Sequence, residues 1–221
     1  MDLTRQYENI GRAYIDGQRS FFSSREDWAR KFIMNSISPL KDKAVLDLGC
    51  GHGVDIQQYH TQGAIAYGVD LSPFMVDEAK KRVENPALVQ VGDIQNLPYA
   101  DETFDVVVSR YGFHYVENLE QSYREASRVL KHGGLLALIL PHPIYDAVVM
   151  RQKYGDKFTV EIPLYDGKVT VTYPSHTLND YLSQTFNELF HLEQGGEFLQ
   201  EEVKEKQWGI PSAIGLVAKR L

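Results

Sequence analysis

The stretch at residues 45–53, VLDLGCGHG, constrains the fold of this chain more than any other segment. An apolar run that contains an acidic residue passes directly into three glycines at every second position, Gly49, Gly51 and Gly53. Glycine is favoured where the backbone needs a positive φ, or where another group must come closer than a Cβ allows. The pattern therefore predicts a strand that turns sharply into a helix next to a closely approaching group.

Short β-rich runs alternate with amphipathic segments from about residue 44 to residue 140. Several runs are almost continuously apolar, which is typical of strands covered on both faces. The segments between them are long enough for crossover helices, so we expect an α/β fold with a doubly wound, mostly parallel sheet. The predicted strands are residues 44–48, 64–70, 87–92, 104–109 and 135–140, and a closing strand follows within residues 212–221.

Local signals place several helix boundaries. Ser72 before Pro73 predicts a helix start, and Asn118 predicts another. The glycines at 133 and 134 predict a helix stop. Thr177 and Asp180 have the spacing of a capping box, and the apolar residues that follow predict one helix face over residues 178–189.

The 221 residues fit one domain with four parts. Residues 1–35 are expected to form an N-terminal helical cap, and residues 40–141 the ligand-binding core. Residues 143–176 carry two alternating runs around Asp166 and Gly167, which predict a hairpin inserted after the fifth strand. Residues 177–221 are expected to add a closing helix and strands.

Composition narrows the partners. A net charge of −7 argues against a nucleic-acid partner, which a basic surface would attract. No apolar run is long enough for a membrane span, and the N-terminus lacks the layout of a signal peptide. With one cysteine no internal disulfide can form, so we expect a cytoplasmic protein. We further expect a monomer or homodimer that acts on a small molecule. The acidic run at 201–207 is expected to be a solvated face.

The expected ligand contains a ribose. Open α/β sheets bind ligands at the carboxyl ends of their strands, and Asp70 ends the second predicted strand. Its carboxylate can accept hydrogen bonds from two ribose hydroxyls. A dinucleotide fingerprint, G-x-G-x-x-G, would need its third glycine where Val54 stands, which counts against an NAD-dependent oxidoreductase but leaves it as an alternative.

The full pattern D-x-G-x-G-x-G, residues 47–53, resembles the first motif of class I S-adenosylmethionine-dependent methyltransferases. Three further segments resemble later motifs of that family in the right order: GVDLS at 68–72, VGDIQNLPYADETFDVVVS at 91–109 and REASRVLKHGGLLALI at 124–139. The resemblance covers roughly residues 40–141. It implies a Rossmann-like sheet of seven strands whose last strand is antiparallel, and a single methyltransferase domain.

The resemblance also implies a cofactor, S-adenosyl-L-methionine, which leaves as S-adenosyl-L-homocysteine. Asp70 is then expected to hold the ribose hydroxyls, Asp93 the adenine amino group, and the backbone of Ile94 the adenine ring. An N-terminal tyrosine closes over the cofactor in similar proteins, a role for Tyr14 or Tyr7, whose alternative is a helix packing face. The other expected cofactor-binding residues are Asp47, Gly49, Cys50, Gly51, Leu71 and Ser109, with Cys50 also readable as a small packed residue.

The acceptor side is less constrained. His114 and His142 follow the fourth and fifth strands and are the candidate catalytic residues, although each could instead serve packing. No metal site is expected, because no set of residues has recognisable ligand spacing. Tyr111, Tyr115, Tyr145, Tyr165 and Tyr173 are expected to border the site. The predicted reaction moves a methyl group to O, N or C of a small molecule; a non-catalytic module that only binds the cofactor is the other alternative.

Overall fold

The structure is a computed structural model that describes residues 3–23, 25–198 and 210–221. Seven strands of this part of the chain form one sheet in the order β3-β2-β1-β4-β5-β9-β8. The strands β1 to β5 pair in parallel, and β9 pairs antiparallel with both β5 and β8. The predicted doubly wound α/β fold with an antiparallel last strand is confirmed. The strands of this sheet are β1 Ala44–Leu48, β2 Ile65–Asp70, β3 Val89–Val91, β4 Phe104–Arg110, β5 Leu130–Pro141, β8 Phe190–Phe198 and β9 Ala213–Arg220.

Alternation along the central strands explains why helices cover both faces of the sheet. Leu46 and Leu48 of β1 pack into the core cluster on one face, with Tyr123 of α5 and Phe186 of α8. Val45, the residue before Leu46, faces the opposite side of the pleat and joins the cluster on the other face. Strands buried on both faces must be apolar at nearly every position, as this sequence is. The helices are α1 Leu3–Phe22, α2 Trp28–Ile37, α3 Val54–Thr61, α4 Pro73–Lys80, α5 Leu119–Val129, α6 Pro143–Val149, α7 Leu178–Tyr181 and α8 Gln184–Leu189.

Two predicted helix starts are built as expected. The hydroxyl of Ser72 accepts a hydrogen bond from the Met75 amide at 3.3 Å, and Pro73 is the first residue of α4. The side chain of Asn118 accepts from the Glu120 amide at 3.1 Å and caps α5. Each cap satisfies an amide that the helix itself leaves without a partner.

Three expectations about element boundaries are wrong or incomplete. The predicted glycine stop is displaced, because α5 ends at Val129 and Leu130 is already extended; Gly133, with φ +73°, instead lies in the irregular start of β5. The single helix over 178–189 is two, since Ser183 caps a second helix after the Thr177–Asp180 capping box. Strand β8 is one of the closing strands expected within residues 177–221, but its bounds were not predicted. The acidic run at 201–207 lies outside the described residues.

The insertion after β5 is the predicted hairpin. Strands β6 Thr159–Leu164 and β7 Val169–Pro174 pair antiparallel across a turn that contains Asp166 and Gly167. The hairpin packs on α1, where the side chain of Gln6 accepts hydrogen bonds from the amide and hydroxyl of Thr172 at 2.9 and 2.6 Å. Helix α1 and the hairpin thus lie together over the carboxyl ends of the strands. Among the described residues, no helix combines the length and apolarity needed to cross a membrane.

Candidate active site

The glycine loop connects β1 to α3 at the carboxyl edge of the sheet. Its start is held by the amides of Gly49 and Cys50, which both donate to the Val69 carbonyl at 2.8 and 3.1 Å. Gly49 and Gly51 have positive φ values of 72° and 52°. A Cβ on Gly49 would lie 2.9 Å from the Cα of Gly112, so the two chain segments cross too closely for a side chain. A Cβ on Gly51 would meet no atom within 4 Å, because this residue faces a cavity.

Asp70 at the end of β2 closes the loop from the opposite side. Its Oδ2 accepts a hydrogen bond from the Gly51 amide at 2.8 Å, and its Oδ1 accepts from the Ser72 amide at 2.9 Å. Burial raises the pKa of Asp70, and these two hydrogen bonds act in the opposite direction. Two backbone amides therefore fix the carboxyl group while each oxygen keeps capacity for another donor.

A cavity of about 110 Å³ lies between the glycine loop, the end of β2 and the segment after β3. Asp93 and Ile94 line it from that segment, and the Oδ1 of Asp93 accepts from the Gln95 amide at 2.9 Å. We call it the small cavity. The predicted cofactor-binding residues that line it are Tyr7, Tyr14, Gly49, Gly51, Asp70, Leu71, Asp93 and Ile94, and the predicted border residues Tyr111 and Tyr115 line it too.

Tyrosines roof the small cavity. The hydroxyls of Tyr7 and Tyr115 lie 2.7 Å apart and share a hydrogen bond. The ring of Tyr14 packs edge-on against Tyr7 and Tyr165, with centroids 5.3 Å apart in both pairs. Burial raises the pKa of Tyr7 far above its usual value, and Tyr115 raises it further, so the roof is uncharged at physiological pH. Tyr7 and Tyr14 were predicted either to close over the cofactor or to form a helix packing face. The two interpretations are compatible, because the tyrosines pack on each other and also line the cavity.

A buried network of charges, which the sequence did not indicate, lies beside the glycine loop. The guanidinium of Arg110 contacts Asp55 at 2.7 Å and Asp27 at 3.2 Å, and Arg30 contacts Asp55 at 2.6 Å. Burial alone would raise the pKa of Asp55, but Arg110 and Arg30 hold it below its usual value. Asp47 lies near this network; burial and the charge of Asp55 raise its pKa well above the usual range. No local pattern connects residues so distant in the chain.

A larger cavity of about 530 Å³ lies between α1, α6 and the hairpin. The five tyrosines expected at the site, at 111, 115, 145, 165 and 173, all line it, and so does His114. His114 is 2% exposed, and its Nδ1 has no hydrogen-bond partner within the described part of the chain. Burial lowers the pKa of His114 well below its usual value and His176 lowers it further, so the imidazole is neutral. We call this space the large cavity.

Four sequence-predicted residues do not line either cavity. Cys50 is buried in the core, where its Sγ would lie 2.8 Å from a Cβ on Gly68. Ser109 donates its hydroxyl hydrogen bond to the Leu48 carbonyl at 2.7 Å and ties β4 to β1. Asp47 is 3% exposed behind the loop. The structure therefore gives these three residues supporting positions.

His142 is the fourth, and its ring is used structurally. It caps α6, where its Nδ1 accepts a hydrogen bond from the Ile144 amide at 3.3 Å. Its Nε2 lies 2.8 Å from a carboxylate oxygen of Glu197 on β8. Since both nitrogens have protein partners and the ring is not at a cavity wall, the position disfavours the catalytic reading of His142. Within the described residues, no group of three His, Cys, Asp or Glu side chains could hold a metal ion.

Several known proteins that resemble this chain are methyltransferases. The profile of a methyltransferase domain family matches residues 46–138, which include the glycine loop, Asp70 and Asp93. Cypemycin N-terminal methyltransferase from Streptomyces sp is 33% identical over 192 residues, which are 84% of this chain and 74% of that protein. This chain belongs to the S-adenosylmethionine-dependent methyltransferases.

Other methyltransferases share the fold and the core. Demethylmenaquinone methyltransferase from Corynebacterium kroppenstedtii is 30% identical over 137 residues, 62% of this chain but only 58% of that protein's length. The crystal structure of an S-adenosylmethionine-dependent methyltransferase from Mesorhizobium loti superimposes with a TM-score of 0.69 at 22% identity, covering 90% of this chain and all of that one. At the level of the family, the predicted methyltransferase class and the predicted cofactor, S-adenosylmethionine, are confirmed.

Proposed function

We propose that this methyltransferase moves the methyl group of S-adenosylmethionine to an oxygen, nitrogen or carbon atom of a small molecule by in-line displacement. The observation that carries the proposal is the wall between the two cavities. The same five side chains line both of them, so a donor in one would meet an acceptor in the other. They are Tyr7, Tyr14, Arg110, Tyr111 and Tyr115.

The residues of the small cavity fit the cofactor. Asp70 presents two oriented oxygens to the ribose hydroxyls, because the Gly51 and Ser72 amides hold its carboxyl group in place. Asp93 would accept from the adenine amino group, with Ile94 against the ring. The empty space beside the Gly51 Cα leaves room for the ribose and methionine portions. Tyr14, Leu71 and Gly49 would complete the walls, while Asp47, Cys50 and Ser109 support the loop from behind.

The chain's own residues would position the reactants and exclude water. Bound S-adenosylmethionine supplies a methyl group that its sulfonium already activates. The tyrosine roof keeps solvent from the wall between the cavities, and its hydroxyls stay protonated there. Arg110 brings a fixed positive charge to this wall, where it suits the cofactor's carboxylate, and its partners Asp27 and Asp55 hold the guanidinium in place. His114 is neutral and lines the acceptor side, which suits a proton-accepting or acceptor-binding role.

The walls of the large cavity favour an acceptor that contains a ring. Aromatic side chains dominate those walls, and such surfaces bind flat apolar groups while offering polar edges. Two relatives are named for demethylmenaquinone and for the N-terminus of cypemycin, so ring compounds and peptide amines are the acceptor types to compare. A cytoplasmic location, the absence of a nucleic-acid partner, and a monomeric or homodimeric state stay predictions.

Methyl transfer from tritium-labelled S-adenosylmethionine tests the proposal. The acceptors would be 2-naphthol, a naphthohydroquinone, 1-naphthylmethylamine and a short peptide with a free N-terminus. We expect label in a ring compound with the wild type, loss of that label with Asp70→Ala, and retention with Asp77→Ala, which changes an exposed aspartate on the adjacent helix α4.

Each contrary result has a distinct meaning. Label in the peptide alone would contradict the ring preference. Binding of S-adenosylhomocysteine without transfer to any acceptor would favour the non-catalytic module over an enzyme. Failure to bind S-adenosylhomocysteine would contradict the assignment of the small cavity, and NAD would then be titrated as the remaining alternative.

A further inference from the structure

One wall of the large cavity is polar, although its surroundings are aromatic. Asp146 contributes to it from α6, Tyr173 from β7, and His114 from the short 3-10 turn Phe113–Tyr115 after β4. These three elements meet at the carboxyl end of the sheet. We call the three side chains the polar wall; sequence patterns did not indicate Asp146.

Asp146 is the unusual member of the polar wall because it is a buried acid to which no cation of the described residues is paired. It is 3% exposed, and its Oδ1 accepts a hydrogen bond from the Tyr173 hydroxyl at 3.1 Å. The titratable groups that sense its charge are Tyr173 and, from α7, Tyr181. No salt bridge to Asp146 is formed within the part of the chain that the structure describes. Elsewhere in this cavity, by contrast, the acid Asp27 is paired with Arg110.

Among the described residues, only a small part of the hydrogen-bonding capacity of Asp146 is used. An ionised carboxylate offers about four acceptor positions, and the Tyr173 hydroxyl occupies one of them. Burial raises the pKa of this carboxyl to about 7, although the Tyr173 hydrogen bond lowers it, so the group is partly ionised near neutral pH. A buried acid in this state gains from a hydrogen-bond donor that reaches it through the cavity.

His114 gives the same wall a second unused polar atom. Its ring packs edge-on against Tyr173, with centroids 4.5 Å apart, and its Nδ1 lacks a partner among the described residues. Tyr115, which belongs to the wall shared with the small cavity, lies 5.9 Å from Tyr173 by ring centroids. One layer of aromatic rings thus connects the polar wall to the wall that the two cavities share, where methyl transfer is proposed.

We propose that Asp146 determines acceptor specificity by accepting a hydrogen bond from a hydroxyl or amine on the acceptor, whose ring lies against the aromatic walls. Tyr173 is the positioning residue that orients the carboxyl group. This inference rests on the proposed function, because it assigns the large cavity to the acceptor. It names the acceptor class as ring compounds that carry a hydrogen-bond donor.

Naphthalene ligands with and without a hydrogen-bond donor test the inference without knowledge of the natural acceptor. Calorimetric titrations would use 2-naphthol, 1-naphthylmethylamine and 2-methoxynaphthalene, each in the presence of S-adenosylhomocysteine. We expect the wild type to bind one of the two donors at least about tenfold more tightly than the methoxy compound, the ratio expected for one hydrogen bond to a charged acceptor. Preference for the naphthol identifies a hydroxyl, and preference for the amine identifies an ammonium group.

Variants assign the preference to Asp146. In Asp146→Asn the ratio should fall to about threefold or less, since charge assistance is lost, while affinity for 2-methoxynaphthalene stays unchanged. Tyr173→Phe should reduce the ratio partly, and the exposed Asp156→Asn should keep it. In the wild type the ratio should also decrease as the pH falls below about 7, and in Asp146→Asn it should be independent of pH.

Three results would overturn the inference. They are equal affinity of the wild type for donors and methoxy compound, an unchanged ratio in Asp146→Asn, and no binding of any of the three ligands. If S-adenosylhomocysteine still binds in these experiments, the proposed function stands and only the role of Asp146 fails. If S-adenosylhomocysteine does not bind, the proposed function itself fails.

Discussion

Replacing Gly51 by alanine separates the two reasons for a glycine in the loop, backbone conformation and space for the cofactor. Gly51 has φ +52°, and its added Cβ would enter the space of the small cavity without touching the protein. Gly63, between α3 and β2, offers a matched control. Its φ is +82°, and a Cβ there would make ordinary contact at 3.4 Å with Lys41, away from either cavity.

The two substitutions should cost similar stability but differ in cofactor binding. A left-handed conformation costs a non-glycine residue about 1–2 kcal/mol, and the reduced freedom of the unfolded chain offsets part of that cost. We therefore expect both variants to lose about 1 kcal/mol in free energy of unfolding. Only Gly51→Ala places a methyl group where the cofactor would lie. We therefore expect this variant alone to lose affinity for the cofactor by tenfold or more, which corresponds to about 1.4 kcal/mol or more.

Urea denaturation and calorimetric titration with S-adenosylhomocysteine measure the two effects separately. Wild-type affinity in Gly51→Ala, at a stability close to that of Gly63→Ala, would refute the reasoning, because the loop glycine would then serve only the turn. Equal loss of affinity in both variants would also refute it, since backbone strain alone would account for the change.

Two further predictions concern buried charges. Arg110→Met should lower the free energy of unfolding by about 3 kcal/mol at pH 7, because Asp55 and Asp27 are left with only Arg30. The folded-state pKa of Asp55 is depressed, so its stabilising effect is lost as the pH falls through that value, and the difference between variant and wild type in urea denaturation should shrink at pH 3. Wild-type stability of the variant at pH 7 would contradict the network. Asp146 should show the opposite pH dependence, because burial raises its pKa to about 7. Its contribution to the stability of the folded protein is fully present below the unfolded-state pKa and is lost as the pH rises through 7, so the stability of the wild type relative to Asp146→Asn should fall by up to about 4 kcal/mol between pH 4 and 8. A constant difference across that range would contradict the raised pKa.

The sequence predicted the parts of the site that local patterns encode. The alternation of Val45, Leu46 and Leu48 between two buried faces requires an apolar strand, and the glycines that follow mark the turn. Asp70 ends its own strand, and parallel strands bring their carboxyl ends to one edge. These features depend on residues close in sequence, so a reading of spacing reaches them.

The charged network and the acceptor walls could not be predicted in that way. Arg110 meets Asp55 and Asp27 across 55 and 83 positions of the chain, and nothing in the residues around any of them indicates the pairing. The sequence offered no signal at Asp146, since its surroundings depend on how the hairpin packs against α6. These contacts come from tertiary packing, which residue spacing does not contain.

The histidines show why residue type alone misleads at the end of a strand. His114 and His142 looked equivalent, each following an apolar strand. Packing separates them, because Glu197 and the Ile144 amide occupy both nitrogens of His142, whereas His114 lines the large cavity. The partner of His142 lies on β8, a strand whose bounds were not predicted, so the sequence left open whether His142 serves packing or catalysis.

The central claim is that the small cavity holds S-adenosylmethionine by its ribose through Asp70, and a calorimetric titration with S-adenosylhomocysteine tests it most directly. The wild type should bind with a Kd of micromolar order, and Asp70→Asn should bind at least about tenfold more weakly while its thermal unfolding stays cooperative. Equal affinity of the folded variant, or no heat of binding to the wild type at millimolar ligand, would contradict the account.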